Sequence, residues 1–263
     1  LSEDSKGRIW FVEKNGSKLG YLDLKKKSVA EIKFETGADL MGIAIDKDDN
    51  VWVGDVSNNY IGRYNPKTKK IRQFPILTPL SQPGKMKFDK EGKLWYCQVR
   101  AKQIGVFFPD PGIFSVASMP GFNAVPQALA PADDGKIWFV DSMMNRIGYF
   151  DAVVLDWKIF SIPTPNSQPM DVEIDSSGDI WFSQSDRRAN KIARLIRSTV
   201  PESALSGAAA ASSGVDENGK GGQVEENTVS RLKPSVGFII TGAIVIAVVI
   251  LGLLLVRKKR PLQ

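Results

Sequence analysis

Along most of the chain, apolar residues alternate with polar ones in short runs bounded by Asp, Asn, Gly or Pro. Alternation at period two turns one side of a segment inward and the other outward, which is how a half-buried strand reads. The most regular runs centre on tryptophan: Ile9-Trp-Phe11, Val51-Trp-Val53, Leu94-Trp-Tyr96, Ile137-Trp-Phe139 and Ile180-Trp-Phe182. Their β-branched and aromatic residues suit a pleated surface. The five tryptophans are spaced by 42, 43, 43 and 43 residues, and only Trp157 is out of phase. A fixed period of that size marks repeated supersecondary units.

Other elements recur in step. Before each Trp strand stands a turn: Asp4 to Gly7, Asp46 to Asp49, Asp89 to Gly92, Asp133 to Gly135 and Asp175 to Gly178. Asp opens a turn through its side-chain acceptor, and Gly supplies positive φ. About ten residues after each Trp a strand recurs around Gly20, Gly62, Gly105, Gly148 and Ala193. The small residue there is expected to let a neighbouring Trp pack close. A further strand follows, as at Glu31 to Phe34, Ile71 to Phe74 and Trp157 to Phe160, and another precedes the next Asp, as at Met170 to Ile174. Four strands per period predict an all-β propeller of four-stranded blades, with the tryptophans as core between blades. Five blades are visible over residues 1–198. Leu1 aligns with Val172 inside an innermost strand, and the last blade has no outer strand before the composition changes. The expectation is an N-terminally truncated ring, with a strand, further blades and a signal sequence upstream; a self-contained five-blade ring is the alternative.

Residues 236–256 carry no charge, and about 20 apolar residues span a bilayer as a helix. This predicts one C-terminal transmembrane helix. Arg257, Lys258, Lys259 and Arg260 follow it, against Arg231 and Lys233 before it. Basic residues stay on the cytoplasmic side, so residues 257–263 form a cytoplasmic tail and the propeller lies outside the cell membrane. Residues 199–235, rich in Ala, Gly and Ser, read as a flexible stalk.

The net charge of +6 falls to +2 without the four basic residues after the apolar run, which argues against nucleic acid as a partner. One cysteine, Cys97, excludes an internal disulfide, and the absence of histidine removes the commonest acid–base group and zinc ligand. Asp46 to Asn50 starts like a calcium loop, but Val51 and Ser57 stand where Gly and Glu are needed. Asn15-Gly-Ser17 is a lone glycosylation sequon.

The residue three past each Trp is Glu13, Asp55, Gln98, Asp141 or Gln184. Strand order places these on the face opposite the aspartate turns, as a polar collar at the channel mouth. Arg100 and Asn145 lie on the same loops. Gln82 and Gln168 lie on blade linkers that match at five of six places, Thr78-Pro-Leu-Ser-Gln-Pro83 and Thr164-Pro-Asn-Ser-Gln-Pro169. Convergent polar groups at a channel mouth make this face the default ligand site. Polar strand ends facing solvent would look the same.

Pro-x-x-apolar-x-apolar-Asp-x-x-Gly-x-Ile-Trp-Phe, then Asn-x-Ile-Gly, then Phe-x-x-Pro-Thr, runs through residues 1 to about 198, most clearly at Asp133 to Asp151 and Pro163 to Trp181. The pattern resembles the streptogramin lyase (virginiamycin B lyase) family. The resemblance implies an enzyme that opens a cyclic depsipeptide lactone by elimination, with a histidine-and-glutamate cluster and magnesium. Glu13 occupies the family's acidic place after Trp-Phe-x; Asp55 and Asp141 shorten that acid, Gln98 and Gln184 neutralise it, and no histidine is available as base.

Three functions compete. One is a membrane-anchored, extracytoplasmic binding module that takes a small molecule or a surface protein on the collar. Another is a lyase or lactonase-like enzyme using a divalent cation, magnesium or calcium, on Glu13, Asp55 and Asp141. The third is a spacer in an envelope assembly.

Overall fold

The computed structural model describes residues 1–14, 16–34 and 37–197. The stalk, the apolar run 236–256 and the basic tail lie outside the described residues. Among those described, no helix is long and apolar enough to cross a membrane.

Five antiparallel sheets follow one another along the chain. Blade one holds β1 (Ser2–Glu3), β2 (Arg8–Glu13), β3 (Lys18–Asp23) and β4 (Ser28–Lys33). Blade two holds β5 (Leu40–Ile45), β6 (Val51–Asp55), β7 (Tyr60–Asn65) and β8 (Lys70–Pro75). Blade three holds β9 (Pro83–Phe88), β10 (Leu94–Gln98), β11 (Gln103–Phe108) and β12 (Ile113–Ser118). Blade four holds β13 (Pro126–Pro131), β14 (Lys136–Asp141), β15 (Arg146–Asp151) and β16 (Asp156–Ser161). Blade five has three strands, β17 (Val172–Ile174), β18 (Ile180–Gln184) and β19 (Lys191–Leu195). Within each blade the strands pair in chain order, and the innermost strands β1, β5, β9, β13 and β17 line up side by side. Ser2 pairs with Trp10 as Glu173 pairs with Trp181, so Ser2–Glu3 is the innermost strand of blade one.

Trp10, Trp52, Trp95 and Trp138 are 0–5% exposed. Each wedges between its own sheet and the next: Trp10 against Tyr64, Trp52 against Phe88 and Phe107, Trp95 against Phe150. Trp138 packs among Val172, Ile180 and Phe182 of blade five. Deleting such a side chain costs about 3–5 kcal/mol. Trp181 breaks the pattern at 38% exposed, because no described blade follows to cover it.

The aspartate turns join strand and wedge. Asp4 accepts the N–H groups of Lys6 and Arg8 on Oδ1 and the Trp10 indole on Oδ2 at 2.8 Å. Asp46, Asp89 and Asp175 repeat this clasp with Trp52, Trp95 and Trp181. Burial alone would raise the Asp4 carboxyl. The Trp10 indole and the Arg8 and Lys6 donors outweigh it and hold the group below its ordinary 3.8. In blade four the expected opener, Asp133, is out of register. The turn runs from Ala132, whose carbonyl accepts from Gly135 N, and Ala132 stands six residues before Trp138.

In β3 and β11 the small residue has a different job from the one expected. A Cβ at Gly20 would stand 2.4 Å from the Phe11 ring, and one at Gly105 would stand 2.4 Å from Tyr96. At these two positions glycine makes room for the aromatic that follows Trp on the strand beside it; at Gly62 the nearest atom belongs to the Phe34 ring, and at Gly148 to the Lys158 carbonyl.

Candidate functional site

The second strand of each blade runs from the aspartate turn to the opposite face and ends at the collar position. Four of the five collar side chains are buried there: Asp55, Gln98 and Asp141 are 0% exposed and Gln184 is 4%. Their partners explain why. Asp55 Oδ1 accepts the N–H of Asn58 at 3.1 Å and of Asp39 on the preceding linker at 3.3 Å, and Oδ2 accepts the Asn58 amide. Asp141 Oδ1 accepts the N–H of Met144 and of the linker residue Val125, and Oδ2 pairs with Arg146 Nε at 2.9 Å. Each carboxylate stitches the incoming linker to the outgoing loop. A buried acid saturated by donors in this way is a structural acceptor.

The two glutamines differ. Gln98 donates to the Tyr96 hydroxyl at 3.1 Å, and its Oε1 and that of Gln184 are buried without a protein partner. Burial pushes the Tyr96 phenol and the Cys97 thiol upward, which leaves neither ionised near neutrality. Glu13 alone keeps a partly open carboxylate, with Lys18 Nζ 4.0 Å away. Arg100 and Gln168 are exposed and Gln82 is half-buried.

Asn145 belongs to the scaffold. Its amide donates to the carbonyls of Ile162 and Thr164, and its Oδ1 accepts from Ser167 N and Oγ. Asn59 holds Ile76, Thr78 and Ser81 in the same way. These two asparagines, both at positive φ, anchor the two matching Thr-Pro linkers. Gln82 and Gln168, also at positive φ, turn each linker into the next blade and accept Val99 N and Ser185 N on their carbonyls. Sequence reading noticed the matching linkers but missed Asn59 as host. The signal was present: Asn59 and Asn145 precede Ser81 and Ser167 by the same interval.

The metal expected on Glu13, Asp55 and Asp141 does not fit. Two of the three carboxylates are filled with backbone and side-chain donors, and no group of three His, Cys, Asp or Glu side chains able to hold an ion occurs among the described residues. On the axis side, Lys85 pairs with Asp171, just before β17, at 2.8 Å and Lys87 of β9 pairs with Glu173 of β17. On the collar face the linker 119–125 lifts Phe122 to 89% exposure, with Lys102 Nζ 4.5 Å from its ring. Met143 and Met144, on the next loop, are 66% and 43% exposed.

The model of the virginiamycin B lyase family matches residues 1–220. The chain belongs to this family. It is similar to a catalytically inactive virginiamycin B lyase from Staphylococcus aureus, a histidine-to-alanine variant, solved with quinupristin: 27% identity, TM-score 0.67, covering 73% of this chain and 64% of that one. A streptogramin B lyase structure matches at 24% identity and TM-score 0.64, over 73% of this chain and 66% of that one. The chain thus spans just under two thirds of these lyases' length. A putative gluconolactonase at 12% identity and TM-score 0.57 shares the fold. No curated protein sequence matches the chain. Among virginiamycin B lyase relatives, the inactive variant shows that one histidine matters for activity in that enzyme, and the 263-residue sequence here contains none.

Proposed function

We propose that this member of the virginiamycin B lyase family is a membrane-tethered binding module that takes its ligand on the collar face and lacks histidine-dependent ring opening. The observation that carries this reading is the division of labour on that face. Asp55 and Asp141 are consumed by the scaffold, while Arg100, Phe122 and Met143 stand open on the same face. A cation beside exposed apolar side chains suits an amphipathic ligand such as a cyclic peptide, and quinupristin, present with the similar lyase, is the natural probe. The charge-free run 236–256 and the basic residues after it support the tether, with the propeller outside the membrane.

The test uses the full chain in lipid nanodiscs. Calorimetry with quinupristin is expected to show saturable binding that Arg100→Ala and Phe122→Ala weaken. The ligand recovered afterwards should elute unchanged. An opened, linear product would replace this reading with the lyase one. Absence of saturable heat would remove the collar face as a site for this class of ligand.

A further inference from the structure

Strand order puts the outer hairpin turn of each blade on the same face as the aspartate turns. On blades one and two these outer turns follow β3 and β7. They carry Lys25, Lys26, Lys27, Lys67, Lys69 and Lys70, all exposed, against Asp23 on the same turns and Asp46, Asp48 and Asp49 on the aspartate turn of blade two. Asp23 accepts the N–H groups of Lys25 and Lys26, and Lys26 Nζ is 3.9 Å away and 79% exposed. Lys27 and Lys69 hold φ near +51° and +58°, where blade three has Gly112. Lysine therefore occupies the position that glycine fills with least strain.

The same face presents apolar tips. Leu24 is 58% exposed beside the blade-one lysines; Val153 and Val154 on blade four, 79% and 57% exposed, lie between Asp151 and Asp156, outside the basic sector. The described chain also leaves on this face. Beyond β19, Arg197 N donates to Asp179 at 2.8 Å and its guanidinium pairs with Asp134, both next to aspartate-type turns.

We infer that the blade-one and blade-two sector of this face rests on an anionic phospholipid surface, with the lysine tips against headgroups and Leu24 at the interface. Tips on separate blades do not close around one small anion, but they can meet a plane together. Basic residues near an anionic leaflet each add to affinity, and exposed apolar tips add interfacial burial. The inference draws on the tether reading for why a bilayer lies within reach; the lysine geometry stands without it.

The full chain is floated with phosphatidylcholine vesicles and with vesicles that also contain phosphatidylglycerol. Amide hydrogen exchange of the bound protein is then read at Asp23–Ser28 and Asn65–Lys70, with the collar loops as reference. If the chain floats with both and resists alkaline carbonate, the tether holds. Slower exchange at the two lysine turns only with phosphatidylglycerol, reversed by salt, then supports the inference; equal exchange in both overturns it. Flotation only with phosphatidylglycerol, released by salt, keeps the lysine face and removes the tether. Flotation with neither removes both. Replacing Lys25, Lys26 and Lys27 by Glu is expected to abolish the phosphatidylglycerol-dependent slowing at Asp23–Ser28 and, where flotation depends on phosphatidylglycerol, to weaken anionic-vesicle affinity at least about a hundred-fold, at roughly a factor of five per lysine. Protection of the same turns by duplex DNA but not by phosphatidylglycerol would overturn the lipid assignment.

Discussion

Trp138 stands six residues after Ala132, and its buried indole Nε1 has no hydrogen-bond partner. At the same spacing, four sister tryptophans donate to an aspartate at 2.8 Å. Blade four therefore lacks one clasp. Ala132→Asp is expected to stabilise the propeller by about 1 kcal/mol, the net worth of a restored hydrogen bond to a buried donor. Urea denaturation measures the gain. No gain would mean that repulsion from Asp133 and Asp134 cancels the new bond.

Acid should unfasten the clasps of Asp4 and Asp175. The Asp4 carboxyl sits below 3.8 because the Trp10, Arg8 and Lys6 donors outweigh burial; Asp175 sits below it chiefly through the Trp181 indole. A group whose folded value is depressed stabilises fully above its unfolded value and loses that contribution as pH falls through the folded value. Stability is expected to hold down to about pH 4 and decline below it. Thermal melts followed by tryptophan fluorescence report it, and Asp4→Asn should flatten the decline.

Blades two and three meet through bare backbone. A Cβ at Gly42, where φ is +67°, would stand 1.9 Å from the Gly84 carbonyl oxygen. No side chain yields there, so Gly42→Ala is expected to cost about 3 kcal/mol or more. A thermal shift below a few degrees would show that the two inner strands can separate.

Asp141 is predicted to matter for folding and not for metal. Asp141→Ala leaves Arg146 and the Val125 and Met144 N–H groups without their acceptor and should cost about 3–5 kcal/mol. Millimolar magnesium or calcium should leave the melting temperature of the wild-type chain unchanged. A metal-dependent rise that Asp141→Ala removes would restore the carboxylate-site reading.

Asn59→Ala and Asn145→Ala each remove a host that makes four hydrogen bonds to the following linker. Each is expected to lower stability by about 2–4 kcal/mol. Quinupristin binding to the folded fraction should not change. A loss of binding without a loss of stability would return Asn145 to the ligand site.

The architecture was legible because one constraint repeats: an indole every 42 or 43 residues, with a turn before it and a small residue after it. The collar was legible only as a position. Sequence places Asp55 and Asp141 at strand ends, but their burial depends on linkers folding back to offer Asp39 N and Val125 N. The slip at Asp133 came from reading Asp-Asp-Gly as a turn without holding the six-residue interval to Trp. The lysine sector was hidden by whole-chain charge, since carboxylates on the other turns cancel what Lys25 to Lys27 and Lys67 to Lys70 concentrate at two outer turns.

The hosting of each Thr-Pro linker by an asparagine one blade earlier makes heredity in this fold a matter of couples. A blade moved alone, by recombination or by design, would carry its linker away from the residue that holds it. Where Lys102 stood in place of Asn59, the hydroxyl and amide of Ser81 would face an ammonium that accepts nothing. Shuffling among such proteins should therefore succeed at joints that keep host and guest on the same fragment.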